Sequence, residues 1–247
     1  MTRRLAFAAF ALLLAVLPAR ARAQQIVADL SEHLIAITTG FSGTDVLLFG
    51  ATEGEGDVVV VMRGPNTEAV VRRKSRIFGI WINTNQVTFT GVPSFYRVAS
   101  SRPLAEIAPA QIRARHELGI ENLRFGTQRP RSPAEIAEFR AGLLRNRERE
   151  GLFASEAGRV IFSGPRLFRA RFQLPANVPT GSYKVETFFI QNGQVVAAQS
   201  TNLTVGKIGF GADVYDFAHR YSAIYGILAV LIAVAAGWGA SAAFRRS

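Results

Sequence analysis

The chain has 247 residues, no cysteine, 29 basic against 18 acidic side chains, a formal charge of +11 and an apolar fraction of 49%. Such a composition excludes collagen, coiled coil and intrinsic disorder, and the missing cysteines exclude disulfides and thiolate-bound metal as supports. Much of the apolar surplus lies at the two ends, which leaves between them a polar–apolar mixture of about 195 residues, enough for one large or two small domains.

Residues 1–23 have the three parts of a secretory leader. Arg3 and Arg4 precede an apolar run from Leu5 to Leu17, which ends in Pro18 and a small-x-small site at Ala21-Arg22-Ala23. The run is short for a bilayer span, so cleavage before Gln24 is expected rather than an uncleaved anchor. The early arginine pair resembles a twin-arginine signal only faintly, and the strongly apolar core favours the ordinary secretion route.

Residues 24–102, the first part of the body, are dense in strand signals. His33 to Thr38, Asp45 to Ala51, Asp57 to Arg63, Thr67 to Arg73, Ile80 to Asn83, Val87 to Thr90 and Phe95 to Ala99 are short β-branched or aromatic runs separated by glycine-rich turns. Residues 103–154 read as a helical insert. Pro109 to Leu118 predicts a short helix, and Ser132 predicts an N-cap with Pro133 first and Glu135 third, followed by Ile136, Phe139, Leu143 and Leu144 on one face.

Strands resume over residues 155–207. Phe168, Ala170, Phe172 and Leu174 alternate with Arg169, Arg171 and Gln173, and Asn192-Gly193 is a strong two-residue hairpin signal. Tyr183, after Leu174-Pro175 and Pro179-Thr180-Gly181, resembles the tyrosine corner of immunoglobulin-like sandwiches. The expected body is therefore mainly β: an immunoglobulin-like antiparallel sandwich with a helical insert. Four late strands cannot bury both faces alone, so one composite sandwich is preferred to two domains.

Residues 208–220 form a juxtamembrane segment, and residues 221–244 carry no charge over a length that crosses a bilayer. A single C-terminal transmembrane helix is expected, with a buried core helix as the alternative. Tyr215, Phe217, Tyr221 and Tyr225 gather at its start and Trp238 lies near its end. Ala229, Ala233, Gly237 and Ser241 recur every four residues, a helix-packing face of small side chains. Arg245 and Arg246, in the tail 245–247, predict a cytoplasmic C-terminus and a body on the opposite side.

Setting aside the four leader and two tail arginines leaves +5 on the body, with arginine supplying 26 of the 29 basic residues. Nucleic acid is not expected as a partner outside the cytoplasm; anionic lipid headgroups or an acidic protein suit the excess better. His33, His116 and His219 have no metal-pair spacing, and no nucleophile elbow, metalloprotease motif or phosphate loop occurs, so neither catalysis nor a cofactor or metal is expected. Asn202-Leu203-Thr204 fits a glycosylation sequon but reads first as the polar face of a strand. Arg63, Arg72, Arg73, Lys74 and Arg76 beside Trp81 make the one dense basic–aromatic cluster. It is a candidate anion- or partner-binding site, with a solvated strand edge as the alternative. Trp81 itself is expected in the core, as strand aromatics usually are.

Met62-Arg63-Gly64-Pro65, Val71-Arg72-Arg73-Lys74, Gly79-Ile80-Trp81-Ile82-Asn83 and Val92-Pro93-Ser94-Phe95-Tyr96 resemble an alphaproteobacterial transmembrane protein family without an assigned activity. Lys207-Ile208-Gly209-Phe210, Tyr225-Gly226 and Gly237-Trp238 resemble its C-terminal pattern. The resemblance covers nearly the whole chain and has no catalytic residues to carry over. It implies a single-pass protein of the bacterial inner membrane with a periplasmic body, from a family whose members are often encoded near sulfite-exporter-type permeases. The expected role is a non-enzymatic accessory contacting an integral membrane partner; the alternative is a periplasmic module presenting an oxyanion such as sulfite through Arg72, Arg73 and Arg76.

Overall fold

The computed structural model describes residues 26–208 and 217–244. The expected leader, the cleavage site before Gln24, the tail at 245–247 and residues 209–216 of the juxtamembrane segment lie outside the described residues.

Among the described residues the following strands and α-helices are named in chain order: β1 (Ile26–Leu30), β2 (Leu34–Ile37), β3 (Gly43–Thr52), β4 (Asp57–Arg63), β5 (Asn66–Ile77), β6 (Ile80–Pro93), β7 (Tyr96–Ser100), α1 (Leu104–Ile107), α2 (Ala110–His116), β8 (Gly126–Thr127), α3 (Pro133–Arg149), β9 (Gly158–Ser163), β10 (Leu167–Pro175), β11 (Gly181–Gln191), β12 (Gln194–Lys207) and α4 (Ser222–Phe244). As the sequence predicts, the chain is mainly β, with a helical stretch between the two strand blocks and one apolar helix at the C-terminal side.

The body is built on one mixed sheet of nine strands in the order β1-β3-β10-β9-β7-β4-β11-β12-β2. Early and late strands interleave in it. The sheet curls: β1 and β2 are consecutive in the chain yet occupy its opposite edges, and Gln199 of β12 bonds both the N–H and the C=O of Ala28 in β1, at 2.8 and 2.9 Å. That side chain does for the edge what a ladder pair would do, satisfying backbone groups the curl would otherwise leave open. The two halves of the sheet join through a short parallel pairing of Ala99 with Gly158 and Ser100 with Arg159.

The apolar run of β4 is buried on both faces: Val58, Val59, Val60, Val61 and Met62 have no exposed surface. By strand alternation, Val59 and Val61 share a face with Phe188 of β11 and Tyr96 and Val98 of β7. The helical stretch covers that face: His116 packs on Phe188 with ring centroids 5.1 Å apart, and the Tyr96 hydroxyl donates to the Glu117 carbonyl at 2.5 Å and accepts from the Gly119 N–H at 2.9 Å.

Helix α3 begins as the sequence indicates. Ser132 Oγ accepts from the Glu135 N–H at 3.3 Å, Pro133 opens the first turn, and Phe139 and Leu143 are buried. The Glu135 carboxylate is taken up by Asn85 and Arg131 instead of acting only within the cap. Tyr183, fully buried, donates its hydroxyl to the Pro179 carbonyl at 2.6 Å and tilts against Phe95.

Two expected strands, Ile80 to Asn83 and Val87 to Thr90, are one continuous strand, and β5 runs on to Ile77. Both extensions belong to a single long hairpin. β4 pairs with β7 inside the sheet; at Gly64-Pro65 and Ser94-Phe95 the same two chain segments leave it, still bonded to one another, and continue as β5 and β6. Unbroken polar runs, Lys74-Ser75-Arg76 in β5 and Asn83 to Gln86 in β6, conceal the strands in sequence, because exposed faces impose no apolar alternation there.

Replacing Tyr183 with Phe removes a buried hydrogen bond and leaves the Pro179 carbonyl without it. The expected loss is about 1 kcal/mol of unfolding free energy, read by urea denaturation of the full chain in detergent. Asp57, at the base of the long hairpin, accepts from Arg102 at 2.5 and 3.0 Å and from Ser101 Oγ at 2.8 Å; the Arg102 bonds, foremost, hold its carboxyl below the usual carboxylate range. A depressed folded-state value contributes stability that is present above the unfolded value near 3.9 and disappears as pH falls below it. Asp57→Asn is therefore expected to flatten the stability profile between neutral pH and about pH 3, measured by thermal melts across that range.

Candidate functional site

The basic–aromatic cluster divides along the long hairpin. Arg63, at the end of β4, is a strut of the body. Its guanidinium pairs with Glu186 of β11, donates to the His116 carbonyl at 2.7 Å, lies 3.9 Å from Glu117 and sits over the Tyr96 ring. The His116 carbonyl belongs to the last turn of α2, so the cation meets the negative end of that helix and clamps it to the sheet. Burial pushes the Tyr96 phenol well up, and burial followed by the nearby Arg115 holds His116 below its ordinary value. Both rings are uncharged at neutral pH.

Arg72 and Arg73 point to opposite faces of β5. Arg73, with its cross-strand partner Asn85, faces α3: it pairs with Glu138 and lies over the Phe139 ring at 5.1 Å. Arg72 faces away and donates to Gln86 at 3.3 Å. A bulge between Arg73 and Lys74 then shifts the register, after which Arg76 is opposite Trp81 and donates to the Gly79 carbonyl at 3.3 Å. Lys74 is exposed. The geometry thus does not gather Arg63, Arg72, Arg73 and Arg76 into one cradle for an anion.

Trp81 corrects the expectation that it is core. It is 65% exposed, because the far half of the hairpin extends past α3, the element that covers the near half. Ile77, Phe78, Ile80 and Ile82 are exposed with it, and Phe78 completely. Phe78 and Gly79 form the turn with φ of 48° and 82°, a two-residue turn in which both residues are left-handed. Asn192 and Gly193 make the same turn between β11 and β12 with φ of 49° and 73°. There the sequence supplies asparagine, which tolerates this conformation; at the tip it supplies phenylalanine, which does not.

A second exposed apolar surface lies on the outer face of the other half of the sheet. Register places Phe49 between Asp29 and Arg169, with Ile161 beyond Arg169, while the next row holds Val27, Ala51 and Leu167. Val27, Phe49, Ile161 and Leu167 are each about half exposed or more. Sequence reading missed this surface, since adjacency of four residues from four strands exists only once the strands are paired.

Among the described residues no group of three or more His, Asp or Glu side chains is placed to hold a metal ion. His33 Nε2 contacts Asp29 at 2.9 Å on the surface.

Helix α4 runs 23 residues, about 35 Å, and its segment Ser222–Ser241 has a mean hydropathy of 2.0 with none of it buried against protein. A helix apolar on all sides requires an apolar surrounding. Phe217, Tyr221 and Tyr225 cluster at its start with ring centroids 5.7 and 6.4 Å apart, the aromatic collar expected at a lipid–water boundary. Ala229, Ala233, Gly237 and Ser241 all lie on its exposed surface.

Replacing Phe78 with Asn should relieve the left-handed aromatic by about 1 kcal/mol, slowing amide exchange across Arg76 to Ile82 about fivefold. Hydrogen exchange resolved by mass spectrometry measures this, and the rest of the body should be unchanged.

No curated protein matches the chain. A family model described as Putative transmembrane protein (Alph_Pro_TM) matches residues 25–246, spanning the whole β body and α4. The chain belongs to that transmembrane protein family.

Proposed function

We propose that the protein is a non-enzymatic accessory of the bacterial inner membrane, held by α4 with its β body in the periplasm and its C-terminus in the cytoplasm, and that it docks on an integral membrane protein. The observation that carries this reading is the exposed apolar face formed by Val27, Phe49, Ile161 and Leu167, with Asp29 at its edge and Arg169 between Phe49 and Ile161. An apolar face with a polar rim is the anatomy of a protein-docking surface. Anchoring restricts such a body to the neighbourhood of membrane partners and raises its effective concentration there without any new contact. The small-residue face at Ala229, Ala233, Gly237 and Ser241 permits close approach of a partner helix. A sulfite-exporter-type permease is the partner we propose to test first.

Co-purification from mild detergent with a co-expressed permease provides the test. The permease is expected to enrich with the wild type and to be lost with Phe49→Asp, or with α4 replaced by an unrelated spanning helix. Equal enrichment with the wild type and both variants, or none with the wild type, overturns the reading. The alternative, a periplasmic oxyanion-binding module, draws little support from arginines that face Glu138, Gln86 and the Gly79 carbonyl separately. Calorimetry of the full chain with sulfite distinguishes the two, since the accessory role predicts no saturable heat.

A further inference from the structure

We infer that the tip of the β5–β6 arm, Ile77 to Ile82, is a second membrane contact, inserted into the lipid interface beside the anchoring helix. The tip is an apolar cap. Ile77 lies opposite Ile80, Trp81 opposite Arg76 and Ile82 opposite Ser75, with Phe78 at the apex, so no face of the cap is polar throughout. Hairpin ends that face water carry turn-forming polar residues; this one places its most exposed aromatic at a left-handed position where asparagine would be less strained. Backbone strain retained at an exposed apex indicates use rather than architecture.

Behind the cap stands a cationic collar. Arg72, Lys74 and Arg76 lie within six residues of the apex, and the arm has no Asp or Glu from Ala69 to Pro93. Arg73 is neutralised by Glu138 of α3, whereas Arg72 and Arg76 bond to uncharged groups and keep their charge for an outside partner. The collar lies two to six residues from the apex, roughly 7–20 Å along a strand, which suits cations at the headgroup level over side chains at the acyl boundary. Tryptophan and isoleucine beside arginine and lysine make up the composition that partitions to such a boundary.

Topology makes the contact feasible. The arm leaves the sheet at Pro65, and the would-be Cβ of Gly181 lies 2.7 Å from Pro65 Cγ. Gly181 is paired with Val205, two residues before β12 ends at Lys207. Arm and membrane tether therefore leave the body at the same end. The 12 residues of β5 make the arm about 40 Å long. Residues 208–216, between β12 and the helical residues that begin at 217, reach at most about 32 Å. The arm is therefore long enough to reach the bilayer at any extension that the tether allows.

The chain has two tryptophans, Trp81 and Trp238, so Trp238→Phe leaves the tip as the sole reporter in the full-length protein. Reconstituted in bilayers of phosphatidylcholine and phosphatidylglycerol, this variant is expected to show blue-shifted Trp81 emission, protection from acrylamide and quenching by lipids brominated near the headgroup. Phe78→Asp in the same background should abolish the lipid quenching. Lys74→Gln with Arg76→Gln should reduce it on phosphatidylglycerol-containing bilayers to the level seen on phosphatidylcholine alone. Trp81→Phe, reporting Trp238, checks that α4 is inserted, so that a silent tip counts against the tip and not against the anchor. Trp81 quenched by acrylamide as in water, with no effect of brominated lipid, overturns the proposal. Protection from acrylamide without bromolipid quenching also overturns it, because a protein surface and not lipid would then cover the tip.

Discussion

A strand buried on both faces constrains the rest of the body. Val58 to Met62 of β4 leave no side for water, so the sheet must curl to cover one face while a separate layer covers the other. Full burial of such side chains is worth roughly 1.5–3 kcal/mol each, which makes the cover a requirement of folding. The curl draws the sheet edges together, where Gln199 closes on Ala28. The helical stretch supplies the second layer, held to the sheet by Arg63 and Tyr96 through polar contacts at the end of α2. The insert is thus part of the core, continuous with it through Ile107, Leu118 and Leu123.

That arrangement has a consequence for the arm. β4 and β7 are the in-sheet half of a hairpin whose other half leaves the body, so the burial that anchors β4 also gives the arm a rigid root. α3 supports the near half through Phe139, Leu143 and the Arg73–Glu138 pair. Beyond it, among the described residues, the far half has its own ladder and leaves its apolar side chains exposed. A stiff support with an unsupported apolar end is mechanically suited to presenting that end to something else.

The arginines of the chain accordingly do different work at different places. Arg63 and Arg102 are bonded to carboxylates at sheet ends and hold elements together. Arg140 reaches three carbonyls, those of Ile120, Glu121 and Leu123, and fastens α3 to the preceding loop. Planar guanidinium groups with several donors serve this better than lysine. Toward the arm tip, Arg72 and Arg76 also lie beside neutral groups, but on exposed strand rather than between packed elements.

Much of the architecture was legible in the chain alone, for identifiable reasons. The apolar stretch after Tyr221 announces a spanning helix because a helix apolar on all sides needs lipid or a protein core around it. The run Val58 to Met62 announces a strand, Ser132-Pro133 a helix start and Asn192-Gly193 a turn, each through interactions spanning a few residues. The candidate site was legible only as composition: Arg72, Arg73, Arg76 and Trp81 were visible as neighbours in sequence. Their directions depend on strand alternation, on the bulge after Arg73 and on where α3 stops, none of which is local. The same holds for Phe49, Ile161, Leu167 and Val27, which meet only when early strands pair with late ones, β3 with β10. Sequence by itself determined most strands, the start of α3 and the apolar span, since those follow from short-range periodicity, but it did not mark β1 or the run of β5 beyond Arg73. Tertiary structure alone decided which apolar and charged side chains are left facing outward, because exposure depends on what the rest of the chain covers.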